Sequence, residues 1–348
     1  MRFKYFLHKV VHWEYWPQWL VYAPITPVLI YYFIKARSFF FNTAANPEIE
    51  NGGYLMESKF DIHRRLPPGS VPLTIKITGN TSFREALALK QNTAIGFPCY
   101  CKPDIGGKGI GVQKVASEEE LHRYHHTIGV DYLIQEAIPY KNEVGIFYCR
   151  LPGSGQGKIT GIVAKKSMVI YGDGTRTIQQ LIEAEPRYYF QRHWLYKEYA
   201  HELYFVPGKN QLKILSEIGN HARGSAFTDI TAQNNPSLEQ LIDSISKQFG
   251  TFYYGRYDIL YHNWESLCAG EQFKIVELNG SGSEPTHIYD SNKSILQAWK
   301  IIIHHFSLMY RVASAHHKNG VAYAGLKKGI LLNRAYKQHC RKINRQKK

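Results

Sequence analysis

Residues 251–262 read TFYYGRYDILYH, and residues 272–280 read QFKIVELNG. Both are aromatic and β-branched runs with polar side chains at alternate positions, which predicts a strand for each. Arg256 and Asp258 are two apart on the first run, and Glu277 and Asn279 are two apart on the second. Each pair therefore points to one face of its strand, with its members about 6–7 Å apart. If the two strands pair antiparallel, two carboxylates, an amide oxygen and a guanidinium converge on one patch. Hard oxygen donors of this kind suit Mg2+, which takes a few carboxylates and completes its shell with water and phosphate oxygens. Polar side chains on the inner face of apolar strands are costly without a partner, so the patch implies one. The alternative is an exposed polar face carrying surface ion pairs.

Working toward the N-terminus, strands and helices alternate. A helix over 237–249 precedes the strand pair, and a long helix over 294–313 follows it. YGDGTRT is a tight turn into a helix at 178–184, and EVGIFYCRL and KITGIVAKK are strands joined by the glycine-rich PGSGQGK. YLIQEA is a buried strand, and Ser117 with Glu120 predicts a capped helix ending near Gly129. A short helical stretch through Lys59 is broken by RRLPPGSVP.

At residues 101–112 stands CKPDIGGKGIGV, a lysine ending a strand and then four closely spaced glycines. Such a loop lets backbone N–H groups approach phosphate with no Cβ in the way. It lacks Walker A spacing, and taken alone it reads equally as a plain hairpin.

Together these segments resemble the ATP-grasp superfamily. The ordered set is K-P-x(3)-G-x-G-I-G-V, then LIQEAI, a strand glutamate, R-x-D and E-L-N, spread over about residues 53–313. D-alanine–D-alanine ligases and the ligase domain of cyanophycin synthetase are particularly similar, and GDGTRTIQQLI also looks like bifunctional glutathione synthetases. The resemblance implies an α+β fold in which two α+β subdomains clasp ATP. It also implies an ATP- and Mg2+-dependent carboxylate–amine ligase that works through an acyl phosphate.

Residue by residue, it implies that Lys102 contacts the α-phosphate side of ATP, with Lys59 as a second phosphate contact. The loop glycines Gly107 and Gly109 cover the phosphates. Glu136, Ala137 and Ile138 form the hinge that meets the adenine, and Glu143 holds the ribose hydroxyls. Either Lys165 or Lys166 reaches the phosphates, since alternation lets only one face inward. Asp258, Glu277 and Asn279 match the metal ligands, and Arg256 lies near the transferred phosphoryl group. In GNHARGSAFTD, residues 219–229, His221 and Arg223 could hold the acyl phosphate or a substrate carboxylate; the alternative is an ordinary polar loop.

Ligases of this kind usually carry a larger N-terminal α/β domain that helps bind the carboxylate. Here only an apolar, aromatic segment precedes the matched part, so the substrate is not inherited from the resemblance. The expected organisation is residues 1–50 as that segment, 51–318 as the ATP-grasp domain and 319–348 as a basic tail. Substrates are expected among amino acids or peptide-like carboxylates and amines. Two rival readings are a kinase-like phosphotransferase and a non-catalytic nucleotide-binding scaffold at a membrane.

Composition sets the remaining bounds. With 44% hydrophobic and 20% charged residues over 348 positions, the chain is an ordinary globular one. Five cysteines without CxxC spacing are read as reduced, so a cytoplasmic setting is expected. The net charge of +15 is concentrated at the end, where 327–348 hold nine Lys or Arg and no acid. No nucleic-acid module is recognisable, and no nucleic-acid partner is expected. Residues 15–34 carry no charge, but Pro17, Pro24 and Pro27 interrupt them. They read as a surface or re-entrant anchor, a span, or a segment packed on the body. With the basic tail, the first option places the protein peripherally at an anionic inner membrane face.

Overall fold

The computed structural model describes residues 2–107, 109–216, 219, 221 and 224–345. The chain begins with α1 (Arg2–Val11), α2 (Gln18–Tyr22), α3 (Thr26–Ala36) and α4 (Lys59–Arg65). Then come β1 (Thr74–Ile77), α5 (Phe83–Gln91), β2 (Cys99–Pro103), β3 (Gln113–Val115), α6 (Glu118–Ile128) and β4 (Tyr132–Glu136). The middle holds β5 (Asn142–Cys149), β6 (Lys158–Lys166), β7 (Met168–Tyr171), α7 (Ile178–Ala184), α8 (Pro186–Tyr189), α9 (Arg192–Glu198), β8 (Leu212–Ser216) and β9 (Ala226–Asp229). Last are α10 (Pro236–Phe249), β10 (Tyr254–Tyr261), α11 (Trp264–Cys268), β11 (Phe273–Asn279), α12 (Ile295–Lys318) and α13 (Leu326–Arg345). The class is α+β, as expected.

Two antiparallel sheets organise the molecule. The small one has the order β1-β4-β2-β3 and the large one β11-β10-β5-β6-β9, while β7 and β8 form a separate pair. In the small lobe the alternating residues Cys99, Cys101, Tyr132 and Ile134 turn to α5 and α6 and pack with Ile77, Leu121 and Tyr124. Both cysteines are buried free thiols. Ser82 and Glu85 form a capping box that opens α5, and Gly129 in the left-handed conformation ends α6.

One face of the large sheet is apolar. Val144, Ile146, Tyr148, Tyr257 and Ile259 bury against Leu238, Ile242, Ile245 and Phe249 of α10. The opposite face is shared. Phe147, Cys149 and Tyr254 pack on Phe41, Met309 and Val312 near α12, and the rest of that face is polar. The segment 137–141 carries the chain from the last strand of the small sheet to the first of the large one.

Three local readings gain detail. The helical stretch through Lys59 starts at that residue, where the Ser58 side chain accepts the Asp61 N–H and caps α4, and it stops at Arg65 as RRLPPGSVP predicts. Residues 18–36 form one helical stretch in which Pro17 stands at the cap, Pro24 sits in a 3-10 turn at Ala23–Ile25, and Pro27 lies in the first turn of α3. Val21 and Ile25 bury against Ile288, Ala298 and Ile302, and Trp299 Nε1 donates to the Val21 carbonyl at 2.8 Å. Residues Trp19, Ile30, Tyr31 and Ile34 of the same stretch are exposed. The basic end is a helix, α13, with one face docked on the body: Gly329 is buried against Phe40, and Ile343 joins the small-lobe core.

Candidate active site

The polar patch of the large sheet lies where the strand alternation puts it. β10 and β11 pair antiparallel, with Asp258 opposite Glu277 and Arg256 opposite Asn279. Arg256 grips Asp258 through two bonds, Nε to Oδ1 at 2.9 Å and Nη2 to Oδ2 at 3.1 Å. From β6, Lys165 Nζ reaches Asp258 Oδ1 at 3.0 Å and Glu143 Oε1 at 2.7 Å. Lys166 is exposed, so the choice between the two lysines falls on Lys165. Burial works against ionisation of Asp258, but Arg256 and Lys165 outweigh it and hold the carboxyl well below its ordinary range. Burial dominates at Glu143 and raises its pKa despite Lys165. Gly145 makes this crowding feasible: a Cβ there would stand 2.9 Å from Val163 Cγ1 and 3.2 Å from Asp258 Oδ1.

Two lysines approach the patch from the other side. Lys102, at the end of β2, donates to Gln135 Oε1 at 2.9 Å and to the Val276 carbonyl of β11 at 3.0 Å. Burial lowers its pKa to about 8. Lys59 donates to the Gly106 carbonyl and stands 3.6 Å from Glu277 Oε1. Asp104 fixes this lysine in place. Its buried carboxylate accepts from the Ser58 hydroxyl and the Phe60 N–H, each at 2.9 Å, and pairs with Lys76 at 2.7 Å. The start of α4 is thereby tied to the glycine loop. Gly107 and Gly109 lie in that loop, and Lys108 between them is outside the described residues.

Glu136, Ala137 and Ile138 sit where β4 ends and the connector to the large sheet begins. Glu136 fixes the connector by exchanging two bonds with Leu73: its N–H donates to the Leu73 carbonyl at 2.9 Å, and Oε2 accepts the Leu73 N–H at 3.1 Å. The backbone of Gly219 presses on the Glu143 carboxylate, since a Cβ there would overlap Oε2. His221 is engaged by Glu14 and Tyr289: its Nε2 pairs with Glu14 Oε2 at 3.0 Å, and its ring stacks on Tyr289. Arg223 lies outside the described residues.

Sequence reading missed Glu14 and Glu57. Burial opposes ionisation of Glu14, but the His221 bond and the Arg187 guanidinium at 2.8 Å hold its pKa below the ordinary value. Glu57 has a fully buried Oε2 without a hydrogen-bond partner, and burial raises its pKa beside Lys59 and Glu277. One signal was available: Glu14 is the single acid among residues 1–41.

No family model matches this chain, and no curated protein matches it. Among solved structures it is similar to a bifunctional glutathione synthetase from Pasteurella multocida, at 16% identity and TM-score 0.37, over 70% of this chain and 35% of that one. It is similar to VanG D-Ala:D-Ser ligase from Enterococcus faecalis at 15% identity and TM-score 0.41, over 74% of this chain and 64% of the other. It is also similar to D-alanine–D-alanine ligase from Bacillus anthracis at 14% identity and TM-score 0.40, over 76% and 69%. The chain thus spans about a third of the length of the glutathione synthetase it matches. Likeness at this level leaves the functional reading resting on the residues themselves.

Proposed function

We propose that the chain is an ATP-dependent carboxylate–amine ligase of the ATP-grasp type, with Mg2+ as cofactor. One observation carries the reading. Lys102 from the small sheet and Lys59 from α4, which packs on the large-sheet core, meet Arg256, Lys165, Asp258, Glu277 and Asn279 of the large sheet at the junction of the two sheets. A concentration of buried cations around two carboxylates and an amide is what a polyphosphate with its metal requires.

The donor set fits Mg2+. Among the described residues no three His, Cys, Asp or Glu side chains gather as a closed cage. Two carboxylates and an amide, all oxygen donors on one face, suit an ion that takes its other ligands from phosphate and water. Asp258, Glu277 and Asn279 would hold it, and when bound it neutralises phosphate charge. Arg256 and Lys165 orient Asp258 and place positive charge at the same point. Lys102 holds the phosphates from the small lobe and Lys59 from the start of α4, and the glycine loop beside them excludes water.

The proposed reaction begins with a substrate carboxylate oxygen attacking the γ-phosphorus as the bond to the β-phosphate oxygen breaks, giving ADP and an acyl phosphate. An amine nitrogen then attacks the acyl carbon, the C–O bond to phosphate breaks, and the nitrogen loses a proton. Amino acids or peptide-like molecules are the substrate class. The test is ATP labelled at the γ-phosphate, supplied with Mg2+ and a panel of amino acids and short peptides. ADP, free phosphate and an amide in equal amounts support the ligase. A stable phosphoester assigns a phosphotransferase instead, and no turnover assigns a nucleotide-binding scaffold.

A second observation bears on location. Phe3, Phe6, Leu7, Val10 and Val11 are exposed on α1 at helical spacing, while Tyr5 turns inward and stacks on Tyr189. Ile30, Tyr31, Ile34 and Phe39 in and after α3 are exposed as well, with Lys35 and Arg37 among them. The one acid of this region, Glu14, is buried and paired. An exposed apolar helical face with cations near it suits an anionic membrane surface, and we read the protein as peripheral to one.

A further inference from the structure

Helix α13 runs from the large lobe to the small one beside the glycine loop. Its 20 residues span about 30 Å. At its start Gly329 packs on Phe40, and Asn333 Nδ2 lies 3.4 Å from the Tyr54 hydroxyl, both next to the large lobe. One turn on, the Tyr336 hydroxyl lies only 3.2 Å from where a Cβ on Gly107 would stand. His339 Nε2 then bonds the Ile105 carbonyl at 3.0 Å. At the far end Ile343 is buried with the small-lobe core and touches the space beside Gly111. Residues 329, 333, 336, 339/340 and 343 form one helical face, and that face follows the glycine loop along its length.

We propose that α13 straps the two lobes together at the phosphate end of the site, with Tyr336 and His339 as positioning residues for the glycine loop. The connector 137–141 and the Lys102–Val276 bond already link the lobes, and the strap adds a further noncovalent tie whose last turn must release for the loop to open. The side chains that hold the loop therefore come from the part of the chain that reads as a basic tail. The strap rests on the ligase reading only in its kinetic arm.

The test uses the full chain in three variants, Ile343→Glu, Tyr336→Phe and His339→Leu. Amide hydrogen exchange without nucleotide is read at Ile110 and Val112, whose N–H groups bond Gly107 and Gly109. Ile343→Glu is expected to speed exchange at both by about tenfold or more, with β5 and β10 unchanged. Unchanged loop exchange alongside faster exchange in α13 itself overturns the strap. Should Ile343→Glu loosen β2 and β4 as well, His339→Leu decides, because it removes the one donor to the Ile105 carbonyl at a half-buried position; no rise in loop exchange there also overturns it. In the kinetic arm, Tyr336→Phe keeps the packing and should raise the KM for ATP more than it lowers kcat. An equal loss in both counts against positioning. If the wild type uses no ATP, the ligase reading falls alone and the exchange data still judge the strap.

Discussion

Lys102 Nζ lies 3.0 Å from the carbonyl oxygen of Val276, the residue that the β10–β11 register skips. A bulge of this kind leaves a backbone group outside the sheet ladder. Here the ammonium of the other lobe takes it, and one bond joins the small sheet to the strand that carries Glu277 and Asn279.

That lysine sets a pH dependence. Burial brings its pKa down to about 8, so the folded protein carries the charge below that value and loses it above. The KM for ATP is expected to rise as pH climbs through about 8, and Lys102→Arg should flatten the rise. The stability term has the opposite sense. A depressed lysine pKa means the unfolded chain binds the proton more tightly, so the folded state gains stability between about 8 and about 10.4. Thermal melts and initial rates across this window check both signs.

Glu277→Gln and Asn279→Ala should each abolish turnover with the fold intact. Both side chains share a face beside Asp258, and each supplies one oxygen donor of the proposed Mg2+ set. Circular dichroism reads the fold, and a Mg2+ titration reads the ion. Wild-type kcat with unaltered Mg2+ dependence in either variant removes the metal assignment.

Lys165→Met should destabilise the protein by about 3–5 kcal/mol, the usual result of breaking a buried pair from one side. Asp258 and Glu143 would remain buried with one cation fewer. Lys166→Met, at an exposed position, should leave denaturant midpoints within error. Equal effects from the two variants would contradict the inward placement of Lys165.

Gly145→Ala adds one carbon where Val163, Asp258 and Arg256 already close in. Overpacking of this kind costs about 1–3 kcal/mol. Activity should fall by more than the stability loss explains, because the added methyl displaces the Asp258–Arg256 pair. A urea melt combined with kcat at saturating ATP separates the two effects.

Phe3→Glu, Phe6→Glu and Val10→Glu together should release the protein from anionic vesicles without changing its melting temperature. All three side chains are exposed, whereas Trp13, Val21 and Ile25 of the same region are core residues. Truncating residues 1–41 would confuse the two roles. Co-sedimentation at low and high salt is the measurement, and binding that survives the triple change assigns the surface to something other than lipid.

The sequence by itself determined the strands around the site and which of their side chains share a face, while the short strands β1, β7, β8 and β9 carried no pattern strong enough to read. Alternation places Arg256 with Asp258 and Glu277 with Asn279, and the antiparallel pairing then brings the two pairs together. The capped start of α6 and the extent of α7 were legible for the same reason, because capping and periodicity are local physics. Tertiary structure alone decided the partners. It chose Lys165 over Lys166, gave His221 to Glu14, left Glu57 Oε2 without a partner and laid α13 along the glycine loop. Each of these contacts, apart from the choice between adjacent lysines, joins residues far apart in the chain. Whether such groups meet depends on how separate elements pack and on the cost of burying charge, and no local pattern encodes either.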